Sequence, residues 1–233
     1  MMLYENYNRE ERNLCSHLFR LLHEPQNGHS ALRQFLGRDC DGGRVKIYSE
    51  VALIRDAYHV RKPHVSSFMS RLVQLVAKQH SLEDHTPFCD IPDELKDPWR
   101  THPKDLGGKF LKRHGSYLKK DDRQLYGLIQ AYFGAKPDLA VCLENEIVVY
   151  EAKFTESFNE HQIRRAALIA EVWAELLYCD LGYQSPPDVT VKRLGLEKYS
   201  PEISWEKVAV VAHEILGAED KTSKALKLAV VNN

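Results

Sequence analysis

The chain has 233 residues, 43% of them hydrophobic, enough to bury a full core as one domain. With 32 Lys and Arg against 33 Asp and Glu, its net charge of −1 excludes a uniformly basic surface while leaving room for a basic groove. It contains no apolar run long enough to span a membrane, and the polar N-terminus MMLYENYNREER does not read as a signal peptide; the five cysteines, at 15, 40, 89, 142 and 179, form no CxxC pair. A reducing, cytoplasmic setting is therefore expected, without zinc or disulfides and with the thiols as core filler.

In chain order, Arg9 to His23 predicts a first helix, its stripe made by Leu14, Cys15, Leu18, Phe19, Leu21 and Leu22. Loops follow near Gln26–His29 and Asp39–Gly43, and Arg44 to Tyr58 fits either strand or helix. A helix is expected from Pro63 to His80, with Val65, Phe68, Met69, Leu72, Val73, Leu75 and Val76 inward. Residues Glu83 to Pro103 are rich in Pro and Asp and read as an irregular excursion. Asp122 to Phe133 predicts a helix closed by Gly134, and His161 to Tyr178 a long one burying Ile163, Ala166, Ala167, Ala170, Trp173, Ala174 and Leu177. After a loop at Gln184–Asp188 come a strand over Val189–Leu194 and a final helix from the N-cap Ser204 to Leu216.

The run KPDLAVCLENEIVVYEAKF, residues 136–154, carries the chemistry. Two apolar, partly β-branched stretches flank Glu144–Asn145, and Asn tolerates the positive φ of a two-residue hairpin loop. In that register Leu143 faces Glu146, Cys142 faces Ile147 and Asp138 faces Glu151. Directly opposed residues have Cβ atoms roughly 5 Å apart. Lys153 falls on the same face, about 7 Å further along the strand. A three-residue loop would send the two carboxylates to opposite faces. Paired carboxylates repel unless a cation lies between them, and hard oxygen ligands suit Mg²⁺ or Mn²⁺. Pro-Asp also occurs at 92–93 and 187–188, and ExK recurs at Glu219–Lys221, so spacing alone is weak. Context distinguishes the central match, because both halves lie on strands apolar on both faces, where three charges demand a reason. The competing explanation is a buried salt bridge between Lys153 and one carboxylate.

Pro137–Asp138 followed by Glu151–Ala152–Lys153 resembles the PD-(D/E)xK nuclease superfamily, most clearly between Leu125 and Tyr178. The resemblance implies an α/β, restriction-endonuclease-like αβββαβ core: a mixed central sheet flanked by helices, with a helical insertion at about 60–123 in a single domain. It implies Asp138, Glu151 and Lys153 as catalytic residues, and Mg²⁺ or Mn²⁺ held by Asp138, Glu151, the Ala152 carbonyl and an acid from the first helix. Glu11 is the candidate for that acid, since it falls near the middle of the apolar stripe and a carboxylate aimed inward is costly without a partner. Asn8 to Glu11 also resembles a capping box, and Glu50, in helical phase with Leu53, Ile54 and Ala57, competes for the same role.

Gln162, in the first turn of the long helix, matches the position where several branches orient the metal ligands or the nucleic-acid backbone. The sequence QIRRA lacks the Gln-x-x-x-Tyr pattern of the RecB-like branch. Arg164 and Arg165 are candidate phosphate contacts, as are Lys109, Lys112 and Arg113 in the basic, aromatic-interleaved segment Lys104–Arg123.

The implied activity is hydrolysis of a nucleic-acid phosphodiester, with DNA favoured over RNA and endonucleolytic over exonucleolytic cutting although the sequence distinguishes neither pair, and without a membrane partner. A homodimer would supply two sites for cutting both strands. Two alternatives stay open: an inactive nuclease-fold protein that binds nucleic acid or assembles with partners, and an α/β interaction domain with a coincidental motif.

Overall fold

The computed structural model describes residues 11–23, 29–40, 45–61, 65–91, 118–154 and 157–231. In chain order these form helices α1 (Glu11–Leu22) and α2 (Ser30–Leu36), strand β1 (Lys46–Ser49), and helices α3 (Leu53–Val60), α4 (Val65–Gln79) and α5 (Asp122–Gly134). Strands β2 (Leu139–Cys142) and β3 (Glu146–Ala152), helix α6 (Glu160–Leu181), strands β4 (Asp188–Gly195) and β5 (Ile203–Ser204), and helices α7 (Trp205–Leu216) and α8 (Lys221–Val231) complete them.

The five strands make one mixed sheet in sequence order. β1, β2 and β3 form an antiparallel meander, while β4 joins β3 in parallel after α6, and β5 joins β4 in parallel. The hairpin adopts the register set by its two-residue loop, with Leu139 opposite Tyr150 and Cys142 opposite Ile147. The Leu143 N–H donates to the Glu146 carbonyl at 2.8 Å.

Strand alternation divides the core in two. Ala140, Cys142, Ile147 and Val149 face a layer made by α3, α4, α5 and α6. Leu139, Val141, Val148, Tyr150 and Ala152 face a layer made by α1, α2, α7 and α8. A sheet covered on both faces has continuous apolar strands, as this one does. Each fully buried Leu or Phe, among them Leu14, Leu18 and Phe154, contributes ~1.5–3 kcal/mol against the entropy of ordering the chain. The segment between β1 and β2 takes part in this core: α4 buries Phe68, Met69, Leu72, Val73 and Val76 in the same cluster as Ala140 and Cys142.

Several expectations are refined. The ambiguous stretch 44–58 is strand and then helix, divided at Glu50, whose left-handed φ of 55° fits neither. Glu50 thus precedes α3 rather than sharing its helical face. The helix from Ser204 to Leu216 is not the last, because α8 follows it. Asp220 Oδ1 caps α8 by accepting from the Thr222 N–H at 2.7 Å, and Arg20 of α1 donates to Thr222 Oγ1 at 3.1 Å. Helix α2 lies in the stretch between the two expected loops, closed by Gly37 at φ 70°. Of the cysteines, Cys15 and Cys142 are core residues, with burial pushing the Cys142 thiol up to about 12. Cys40 is half-buried, and Cys89 and Cys179 are exposed, so they are not core filler.

Asp122 is fully buried at the start of α5. Its carboxylate accepts from the Thr86 N–H at 2.8 Å, the Thr86 hydroxyl at 2.5 Å and the Lys119 N–H at 2.6 Å. Three donors offset the cost of removing the group from water, and they tie the 82–91 loop to α5.

Candidate active site

Asp138 immediately precedes β2 and Glu151 is the penultimate residue of β3. Continuing the Leu139–Tyr150 register by one residue sets Asp138 opposite Glu151, on the face covered by α6. Both line one pocket of about 220 Å³. Glu151 is buried and Asp138 half-buried. Asp138 Oδ2 accepts from the Ala152 N–H at 2.7 Å, and Glu151 Oε2 accepts from the Gln162 side-chain amide at 3.1 Å. Both of these donors are amides, one from the main chain and one from a side chain.

Gln162 is positioned by the start of α6. Asn159 caps that helix, its side chain accepting from the His161 N–H at 2.9 Å, which sends the first turn across the end of the hairpin. One turn along, Arg165 also lines the pocket. It lies close enough to Tyr132 to oppose the upward push of burial, which still leaves that phenol at about 12. Arg164 is exposed on α6 and does not line the pocket.

Lys153 extends the ladder one residue beyond β3, its N–H donating to the Leu194 carbonyl at 2.8 Å. Its carbonyl accepts from the indole N–H of the fully buried Trp205 at 3.1 Å. A Cβ at Gly195 would stand 2.9 Å from the Phe158 ring and 3.4 Å from the Lys153 carbonyl, so a glycine there lets this corner close. Lys153 is half-buried and is not part of the pocket lining. Ala152 is fully buried, its methyl on the opposite face of the sheet.

The other expected residues fare differently. Helix α1 packs on the sheet face opposite Asp138 and Glu151, through Leu14, Cys15, Leu18, Leu21 and Leu22. Glu11 begins that helix, and its side chain lies outside the described residues, as do Asn8, Lys109, Lys112 and Arg113. Glu50 is brought beside the motif: its N–H donates to the Pro137 carbonyl at 3.2 Å, and the neighbouring Ser49 hydroxyl donates to the Asp138 carbonyl at 3.1 Å.

Lys136 also lines the pocket and was not expected. The available signal was alternation, since it stands two residues before Asp138 in the same run. Leu53 of α3 could not have been read from sequence, because 85 residues separate it from Asp138.

Among the described residues no three His, Cys, Asp or Glu side chains converge as a metal cluster. The donor set is two adjacent carboxylates, and it suits Mg²⁺, which is commonly held by one or two carboxylates with waters and substrate phosphate oxygens supplying the rest. No protein-family model, curated protein or solved structure matches this chain.

Proposed function

We propose that the protein is a metal-dependent nuclease of the PD-(D/E)xK type, with β1–β2–β3–α6–β4 and a preceding helix as its restriction-endonuclease-like core. The observation carrying this reading is the pairing of Asp138 with Glu151 at the open end of the hairpin, where both line one pocket. Two adjacent carboxylates are a hard-oxygen donor set that suits a divalent cation.

Asp138, Glu151 and the Ala152 carbonyl would hold Mg²⁺ or Mn²⁺, with Glu50, whose main chain lies beside the motif, as the acid that completes the set. The bound metal supplies a lowered pKa for a coordinated water and neutralises charge on the scissile phosphate. Lys153 orients the attacking water and stabilises the negative charge developing on the phosphate oxygens. Gln162 fixes Glu151 in the orientation that the site needs. Arg165 and Lys136 draw the flanking phosphates to the pocket rim. Water oxygen bonds to phosphorus, the phosphorus–oxygen bond to the leaving strand breaks, and a proton leaves with that oxygen. DNA is the proposed substrate and endonucleolytic cleavage the proposed mode, in a cytoplasmic protein acting as a homodimer where both strands are cut. No helix among the described residues is long and apolar enough to cross a membrane.

The test combines cleavage with melting. The parent, incubated with circular and linear DNA and with RNA, should cleave with Mg²⁺ or Mn²⁺ and stop with EDTA. Asp138→Asn keeps an acceptor for the Ala152 N–H and removes one charge, so without metal it should melt no lower than the parent. It should also lose most of the stabilisation that Mn²⁺ gives the parent. If Lys153 is instead the buried partner of Asp138, the substitution costs ~3 kcal/mol and metal makes no difference. A metal-indifferent parent with a strongly destabilised mutant would overturn the nuclease reading.

A further inference from the structure

The pocket beside the two carboxylates has a mixed lining. Asp138 and Glu151 line it from the sheet and Gln162 from α6, and the same elements with α3 also bring the apolar Leu53, Val149, Ala166, Ile169 and Ala170, with the cationic side chains of Lys136 and Arg165 in the lining as well. Leu53, Val149, Ile169 and Ala170 are buried, so these walls belong to the core. At about 220 Å³ the cavity is smaller than the ~300–1,000 Å³ typical of sites for drug-sized ligands. It nevertheless has room for several waters, which need two to four polar partners each and find few on aliphatic walls.

A phosphodiester engaged at Asp138 and Glu151 brings its own nucleotide to the mouth of this cavity. In a duplex the base faces are stacked, and a protein meets only the backbone and the base edges. Aliphatic walls recessed beside the phosphate position offer nothing to a paired base, whereas a base removed from the stack presents two flat apolar faces of suitable size. Arg165 can lie against such a base or pair with the adjacent phosphate, and Lys136 complements the backbone charge.

We propose that this pocket takes one unstacked nucleobase next to the scissile phosphate, so that the preferred substrate is single-stranded or carries an unpaired segment. The inference rests on the nuclease reading and adds its substrate class. Unpaired strands meet the pocket without the cost of breaking stacking and pairing, and a fully paired duplex must bear that cost first.

The experiment compares three substrates of one sequence with Mn²⁺: a single strand, a fully paired duplex and a duplex with an unpaired flap. The single strand and the flap should be cut at least about 10-fold faster than the duplex, and an abasic sugar beside the cleaved bond should slow cutting about 10-fold. Ala166→Leu adds bulk inside the pocket on a helix that tolerates leucine, and it should erase both preferences while the Mn²⁺-induced rise in melting temperature persists. A 2-aminopurine-labelled single strand, titrated in EDTA, reads pocket occupancy without cleavage. Its fluorescence change should be present in the parent and lost in Ala166→Leu. Cleavage of duplex and single strand at equal rates, with abasic sites and Ala166→Leu both without effect, overturns the pocket assignment and leaves the nuclease intact. Absence of cleavage with any metal, alongside a 2-aminopurine signal sensitive to Ala166→Leu, overturns the nuclease and leaves a single-strand-binding pocket.

Discussion

The β2–β3 hairpin has carboxylates at both ends, and the two ends treat them differently. At the loop end, Glu146 is held by the Arg38 guanidinium and accepts from the Thr190 hydroxyl at 2.8 Å. Burial pushes its carboxyl up, but the Arg38 and Thr190 hydrogen bonds, with the charges of Arg38 and Lys192, leave it below its ordinary value. Nearby, Tyr183 donates its hydroxyl to the Leu143 carbonyl at 2.5 Å and closes the turn. At the open end, Asp138 and Glu151 accept from the Ala152 and Gln162 amides and border a pocket. A carboxylate matched to a guanidinium and a hydroxyl is fixing structure. Two adjacent carboxylates that accept from main-chain and side-chain amides beside a pocket are the arrangement on which the proposed cation site rests.

The largest effect that tests this contrast is on turnover. Glu151→Gln should reduce Mn²⁺-supported cleavage about 10³-fold, while Glu146→Gln, equally conservative and on the same strand, should leave it within about twofold. Equal losses in steady-state assays of the two variants would mean that the ends are not functionally distinct. Next in size, Gln162→Ala should slow cleavage about 10–100-fold by releasing Glu151. The smallest effect is on acid stability. Because the Glu146 pKa is lowered on folding, the unfolded chain binds more protons over the window beneath the ordinary value of 4.5. The Glu146 contribution is therefore fully present above that value and fades as pH falls through the folded pKa. Melts of Glu146→Gln should show a loss under about 1 kcal/mol at neutral pH, since Arg38 is half exposed, and no difference from the parent in strong acid.

The amino-acid order carried much of this hairpin. Apolar runs of matching length around Glu144–Asn145 fix a two-residue loop, and the two-residue period of a strand then fixes which side chains share a face, so the pairing of Asp138 with Glu151 follows from local geometry. The helices bearing strong apolar stripes, α1, α4 and α6, were legible for the same kind of reason, as was the Ser204 cap. The sequence left other features open because their causes are distant. α8 begins with Lys, Thr and Ser and depends on Asp220 and on Arg20, some 200 residues away. Asp122 reads locally as an ordinary first-turn acid, and it is the approach of the 82–91 loop that buries it.

For the site itself, sequence determined the pair of carboxylates and the Gln162 that follows them, through strand period and helix phase. Tertiary structure alone decided what surrounds them. Folding β1 against β2 brings Glu50 beside Pro137, packing α3 against the α6 layer brings Leu53 to Asp138, and Trp205 arrives from the opposite face of the sheet to hold the Lys153 carbonyl. Periodicity records which way a side chain points on its own element. It holds no information about which distant element will be packed against it, because that is settled by how two apolar faces complement one another in the assembled core.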